Sequence, residues 1–418
     1  MFLRKKLINF SEILLLGLPL AILSGPFLPD LFISIIASVF LLIVVIEKNW
    51  KYLLNPFSIF FLSFIFILII ISVLSNFLYL SLESSLFYFR FYFFSLAVWF
   101  LLDENVNLSK KFTIILFSTF LIALFSGYYQ YIFGYNIAGI VSSSHTRLTL
   151  LFNEKLYMGG YIARLFPLLV GLLILNFSNN KYRQLSIFIT FALLILIDVL
   201  IFISGERTAL GLLLISTVAF IVLLSNLKFI RAFSFIISIV IITLVSINFP
   251  SIKERNVDHT LRQLGVTSDE YSSRHVPMYK SAWNIYLDNL YIGTGPKTYR
   301  KVCQEDRYNF GKFTCSTHPH NTYLQVMSET GTLGLIYFSI AMLYVAKNLI
   351  FHLINIFFNR KKYFNDYQIC LLICFLLTLW PIQPSMNIFN NWINIIYYFP
   401  LGFYLHSLNQ NKLESQSS

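Results

Sequence analysis

The chain has 418 residues, enough for two or three soluble domains, yet 57% of them are hydrophobic and only 12% are charged, about half the charge of an ordinary soluble protein. A net charge of +12 does not mark a nucleic-acid binder, because Lys and Arg are dispersed over short loops with no basic stripe of interleaved aromatics. Apolar runs long enough to cross a bilayer recur along nearly the whole length, and the positive charge is explained by membrane topology.

The N-terminal segment opens with Arg4, Lys5 and Lys6 and then turns apolar, as a signal peptide does. It lacks a small-residue cleavage site and another span follows at once, so it reads as a retained first helix. Apolar runs predict helices at roughly 8–26, 28–46, 57–75, 83–102, 111–133, 157–175, 184–204, 207–225, 229–249, 331–349, 367–385 and 388–407. The expected fold is an all-α polytopic membrane protein of about 12 transmembrane helices with one large, mainly helical periplasmic loop. It divides at roughly 1–249 (helices 1–9), 250–330 (the loop) and 331–418 (helices 10–12 and a tail).

Lys and Arg orient it. With the N-terminus in the cytoplasm, the cytoplasmic loops hold Lys48 and Lys51, Lys110 and Lys111, Lys181 and Arg183, Lys228 and Arg231, then Lys347, Arg360, Lys361 and Lys362. The opposite short loops near residues 27, 76–82 and 386 hold none, a positive-inside pattern that leaves both termini cytoplasmic and the 250–330 segment outside. Cys303 and Cys315 fall in that external segment, where a disulfide persists; the alternative is two free thiols. Cys370 and Cys374 lie a helical turn apart within a span and read as packing.

Charges inside spans are costly and mark cavities, partners or sites. Arg90, Arg164 and Asp198 all fall in the outer half of the predicted bundle, and Glu206-Arg207 forms an external turn. A carrier is expected to spread polar groups through the full depth; a one-sided cluster suits an enzyme working at the membrane surface. The structural alternative is an Arg90–Asp198 ion pair with Arg164 snorkelling to the interface.

In the loop, Tyr271–Leu290 reads as a helix with Met278, Ala282, Trp283, Tyr286 and Leu290 near one face. Gly293-x-Gly295 follows a helix rather than a strand, which argues against a dinucleotide fingerprint. Then comes His318-Pro319-His320-Asn321, with Thr317 as expected N-cap, Pro319 in the first turn, and Gly331 and Gly334 allowing close approach of a neighbouring helix. Two histidines at i, i+2 on a helix do not face one site, which argues against a metal. His320 is a candidate general base. Arg147, Arg207 and Arg274 are candidate ligands for phosphate or pyrophosphate oxygens.

These motifs resemble the O-antigen ligase and O-antigen polymerase family of bacterial membrane glycosyltransferases. Ser204-Gly-Glu-Arg207-Thr-Ala-Leu is similar to that family's Arg-bearing turn. Arg274, Trp283 and the Gly293-Thr-Gly295 turn resemble its external-loop arginine segment. His320-Asn321, followed nine residues later by Gly331-x-x-Gly334, resembles the ligase His motif, and Arg147 to Gly160 resembles the segment before the sixth span. The resemblance implies transfer of a glycan from an undecaprenyl-pyrophosphate carrier to a glycan or lipid A-core hydroxyl at the periplasmic face, without metal or other cofactor. His320 then activates the acceptor while Arg207 and Arg274 bind the leaving pyrophosphate, a form of electrostatic catalysis. Arg147, Glu329, Tyr323, Arg90 and Arg164 are the further candidate substrate contacts, and membrane lipids are the surroundings. No carboxylate is in evident position to orient His320. The shared motifs leave ligase, polymerase and protein O-oligosaccharyltransferase open. A polysaccharide flippase is the alternative of another class.

Overall fold

A computed structural model describes residues 2–141, 147–149, 158–177, 183–263, 275–360 and 363–417. Among them the chain is helical and forms no strand. The first half runs through α1 (Phe2–Leu23), α2 (Phe27–Glu47), α3 (Pro56–Leu74), the short α4 (Leu78–Ser85), α5 (Phe89–Glu104) and α6 (Leu108–Phe133). Next come α7 (Met158–Phe177), α8 (Arg183–Ile203), α9 (Arg207–Leu223) and α10 (Lys228–Asn248). The polar segment contains α11 (Pro250–Lys253), a π-helical turn (Glu254–Asp258), α12 (His259–Gln263), α13 (Val276–Asp288) and α14 (Tyr299–Val302). The chain closes with α15 (Thr322–Phe357), α16 (Asp366–Leu379) and α17 (Asn391–Ser417).

Among the described residues nine helices are long and apolar enough to cross a membrane, fewer than the twelve expected. Arg207–Leu223 and Asp366–Leu379 are apolar but shorter, and α17 turns polar towards its end. The span expected to reach residue 385 stops at Leu379, since Pro381 and Pro384 cannot continue a helix.

Local signals set the ends. Asn55 caps α3 by accepting from Ser58 N, with Pro56 in the first turn. Asn365 and Gln368 form a reciprocal capping box on α16.

Helix α7 is buried on nearly every side from Met158 to Leu173 and forms the centre, packed by α6, α8, α9 and α16. Helix α10 is the reverse: it buries only Arg231, Ser234 and Ser238 while Phe229, Phe233, Ile236 and Leu244 stay exposed. Such an inside-out stripe suits a helix facing lipid, where exposed apolar side chains cost nothing and polar ones need partners.

The partner is Asp198 of α8. Arg231 Nη1 lies 2.7 Å and Nη2 2.9 Å from its two carboxylate oxygens, with Ser238 Oγ donating at 2.8 Å and Thr217 touching Arg231. This corrects two expectations. Arg231 is not a loop charge, and Asp198 does not pair with Arg90. Arg90 instead pairs with Asp30 of α2 at 2.9 Å, and Asn391 of α17 reaches the same carboxylate at 3.3 Å.

The end of the bundle bearing the polar segment is organised by a break in α15. Gly331 adopts φ 65° and ψ −161°, a left-handed conformation that favours glycine. The break frees backbone groups, and the turn after α13 takes them up. Thr294 N donates to Ser328 O (3.1 Å), Gly295 N to Glu329 O (2.8 Å) and Thr332 N to Leu290 O (2.7 Å). A Cβ on Gly293 would strike the Glu329–Thr330 backbone, and one on Gly331 the Tyr291–Ile292 backbone. Gly331 therefore admits the 291–292 backbone rather than a neighbouring helix, as the sequence suggested, and Gly334 faces Thr330 of its own helix. The Glu329 carboxylate completes the clamp. It accepts from Lys297 N (3.0 Å), Tyr299 N (2.9 Å) and Gln325 Nε2 (2.9 Å). Cys303 and Cys315 are joined by a disulfide, Cα atoms 5.4 Å apart.

Two outcomes are expected. Arg231→Met strands Asp198 among apolar helices and lowers stability by about 3–5 kcal/mol, whereas the double change with Asp198→Leu recovers most of it; thermal melting in detergent reads both. Gly331→Ala combines a strained φ with a backbone collision, so the protein is expected to lose its folded fraction in the same assay, unlike Gly211→Ala, where a Cβ meets open space.

Candidate active site

One wall of the site is the Ser204–Arg207 turn, in which Gly205 takes φ 69°. Around it the chain is tied down by hydrogen bonds. Leu148 N donates to Ser204 O (3.3 Å), and Thr149 exchanges two 2.9 Å bonds with the Gln130 amide of α6. From the π-helical turn, Arg255 Nε donates to Gly205 O (3.0 Å) and Asn256 Nδ2 to Phe202 O (2.6 Å). The Phe202 carbonyl in the last turn of α8 and the Gly205 carbonyl after it are thus satisfied by groups from the polar segment, and π-turns of this kind recur at functional sites.

This wall gathers three arginines. Burial destabilises the charge of Arg255, and Arg147 and Arg207 add repulsion. Burial acts likewise on Arg147, opposed by Glu206. The Glu206 carboxylate acts on Arg147 and Arg255, and its oxygens accept from Gly159 N (2.7 Å) and Gly160 N (3.2 Å) at the start of α7. Burial pushes Glu206 up to about 7. Gly159 is required there, since a Cβ would meet the Ala209 and Glu206 side chains at 2.7 and 3.1 Å.

The opposite wall is the His motif. Its helix begins later than expected: Asn321, not Thr317, is the N-cap, its side chain accepting from Leu324 N (3.1 Å). His320 lies before the helix at φ 57°, a conformation that costs a non-glycine residue roughly 1–2 kcal/mol and must be held by its surroundings. The 381–388 segment, between α16 and α17, does the holding. Ser385 N donates to His320 O (2.8 Å), Thr322 Oγ1 to Ser385 Oγ (2.8 Å) and Asn321 Nδ2 to Pro381 O (2.8 Å).

Because this stretch is not helical, His318 and His320 do face each other, with ring centroids 4.2 Å apart. The expectation from helical spacing is corrected. Among the described residues, however, no group of three or more His, Cys, Asp or Glu is placed to hold a metal ion. His318 Nε2 donates to Ser385 O (2.9 Å), so Nδ1 accepts from Thr317 Oγ1 (2.9 Å). His320 Nε2 lies 3.3 Å from Ser316 Oγ. His275 closes the row, its ring 5.2 Å from that of His320. Burial, reinforced by His275, pushes His320 down to about 4, and burial with His320 pushes His318 to about 3. Burial and Arg207 also lower His275. Burial thus favours the neutral form of all three rings.

The other expected contacts sort differently. Arg274 lies outside the described residues. Tyr323 uses its hydroxyl to donate to Leu379 O (2.8 Å), Arg90 is ion-paired, and Glu329 is fully buried in backbone bonds. Arg164 is 4% exposed, donates to Gly160 O within its own helix (3.2 Å) and lies 5.8 Å from the Tyr397 ring. Sequence reasoning missed Arg255, His275 and the 381–388 clamp. Only the proline pair and the Ser, Gln and Asn around it hinted at the clamp.

Beside the His motif an apolar groove of about 380 Å³ runs between α3, α15, α16 and α17, with Tyr88 just before α5. Its aromatic lining includes Phe57, Phe64, Tyr337, Phe338, Tyr398 and Tyr404. Phe338 and Leu379 at its rim are the residues that Tyr323 packs on and bonds to, so the groove adjoins the His320 loop.

No curated protein matches the chain. Residues 189–339 match the family described as O-antigen ligase, a stretch carrying Arg207, Arg255, His275 and His320, while Arg147 and the 381–388 clamp fall outside it. Over this stretch the chain is therefore similar to the O-antigen ligase family.

Proposed function

We propose that the protein is an O-antigen ligase-type enzyme. It moves a glycan from undecaprenyl pyrophosphate to a sugar hydroxyl of lipid A-core at the periplasmic face of the inner membrane. One observation carries this reading: the wall that gathers Arg147, Arg207 and Arg255 meets the row of His275 and His320, with Arg207 acting on His275, next to an apolar groove. An isoprenoid-linked pyrophosphate has the matching parts, an apolar tail for the groove and an anion for the arginines. The lack of Lys and Arg in the loops near residues 27, 76–82 and 386 supports the periplasmic assignment.

In the reaction the acceptor oxygen attacks the anomeric carbon as the carbon–oxygen bond to pyrophosphate breaks, inverting the centre. His320 takes the hydroxyl proton, and undecaprenyl pyrophosphate leaves with the bonding electron pair. Arg147, Arg207 and Arg255, with Arg274 as a further candidate, bind the leaving group as its charge grows. A base that is neutral in the free enzyme is ready to accept a proton, and the bound anion raises its basicity.

Re-expression of variants in a strain lacking the gene tests this. His320→Ala is expected to lower transfer by about 10²–10⁴-fold and Arg207→Gln by about 10²–10³-fold. In both, full-length glycan stays on the lipid carrier and is missing from lipid A-core. Single repeat units still attached to core identify a polymerase instead, and unchanged surface glycan in both variants sinks the catalytic assignment.

The pH profile is a second test. An ordinary histidine loses its proton near 6.5, whereas His320 does so near 4. The base form therefore persists as pH falls through 6, and the acid limb of kcat/KM is expected nearer 4 than 6.5. A limb at 6.5 that vanishes in His275→Asn but not in His320 variants assigns the base to the wrong ring.

A further inference from the structure

Beyond the histidines, on the side away from Arg207, the segment from Thr294 to Arg300 presents two cations on an over-determined backbone. Glu329 holds Lys297 N and Tyr299 N, Ser75 Oγ donates to Thr294 O (2.5 Å) and Thr298 Oγ1 to Gly295 O (2.6 Å). The Tyr299 hydroxyl donates to Thr314 O (2.7 Å), beside the Cys303–Cys315 disulfide. Lys297 sits at φ 63°, a strained conformation that this clamp maintains.

Neither cation is neutralised. Among the described residues the Lys297 ammonium and the Arg300 guanidinium make no hydrogen bond or ion pair, and Arg300 Nε is enclosed without a partner. Two carboxylates are within electrostatic range of Lys297. Glu329 is already saturated by three N–H donors, and Glu83 makes no ion pair among the described residues. Arg300 also acts on His318. A buried donor left unmade costs stability, so a native fold retains one chiefly where a ligand completes it.

We propose that Lys297 and Arg300 form a second anion subsite, which takes a phosphate or carboxylate borne by one of the two glycan substrates. The subsite rests on the transferase reading and extends it. The Arg207 side holds the pyrophosphate, the histidines lie between, and Arg300 fixes the other reactant by its own charge. The planar guanidinium suits a two-oxygen anion, which the ammonium of Lys cannot match.

The test uses the full-length protein in nanodiscs with a lipid-linked glycan donor and phosphorylated lipid A-core. Arg300→Gln is expected to raise KM for that acceptor about tenfold or more, with kcat changed less than about threefold, and Arg300→Lys to recover part of the loss. With phosphatase-treated acceptor, wild type and Arg300→Gln should become equal, which identifies the acceptor as the source of the anion. A rise in donor KM instead identifies the donor and leaves the subsite standing. Unchanged KM for both substrates in the Lys297→Gln/Arg300→Gln double variant overturns it. If wild type transfers nothing, the transferase reading fails and binding decides the subsite. Inorganic phosphate should then raise the melting temperature of wild type more than that of the double variant, and an equal rise in both refutes the proposal.

Discussion

The break in α15 at Gly331 is the constraint on which the loop-bearing end depends. A helix running unbroken from Thr322 to Phe357 would keep its backbone groups to itself. Interrupted at Gly331, it offers carbonyls and amides to the 290–295 turn, and Gly293 lets the two backbones meet. Glu329, just before the break, has its carboxylate consumed by the same task. The polar segment is therefore fastened by main-chain pairing, as strands are, rather than by side-chain packing alone. That fastening sets where Tyr299, Arg300 and the disulfide stand, and it fixes the helix whose first turn follows His320.

Around this anchor two walls converge. One is the turn between α8 and α9, braced by Arg255, Asn256 and Leu148 against exposed carbonyls. The other is the His loop, strained at His320 and gripped by the 381–388 segment. Both spend many hydrogen bonds on positions that a relaxed chain would not adopt. Strain of this kind persists where surroundings over-determine the backbone, and it concentrates at sites that need preorganised groups. The arginines follow the same logic: Glu206 is close to them, yet its charge is directed to the amides of Gly159 and Gly160.

Much of the architecture was legible because bilayer physics writes long apolar runs into the sequence. Arg207 and His320 were legible because a charge at a helix junction and a His before Gly331-x-x-Gly334 are conspicuous. Arg255, His275 and Arg300 were not, since charge is unremarkable in a polar segment and only tertiary closure selects among its members. Glu329 and Tyr323 looked like polar groups offered to a ligand, but local backbone demands claim them. Residues 381–388 were absorbed into apolar spans, and helical spacing separated His318 from His320 where the chain is not helical. Arg231 shows the same failure in reverse: proximity to a helix start suggested a loop charge, while its long side chain reaches a carboxylate inside the bundle.

That last pair has a consequence for biogenesis. Asp198 enters the bilayer in α8, and its counter-charge arrives only with α10, after α9 has been made. A lone acid or arginine at the centre of a span costs about 2.5–3.5 kcal/mol on insertion. The cost falls away once Ser238, Thr217 and Arg231 close around the carboxylate. The three helices α8, α9 and α10 are thereby tied together by one buried polar cluster inside the bundle.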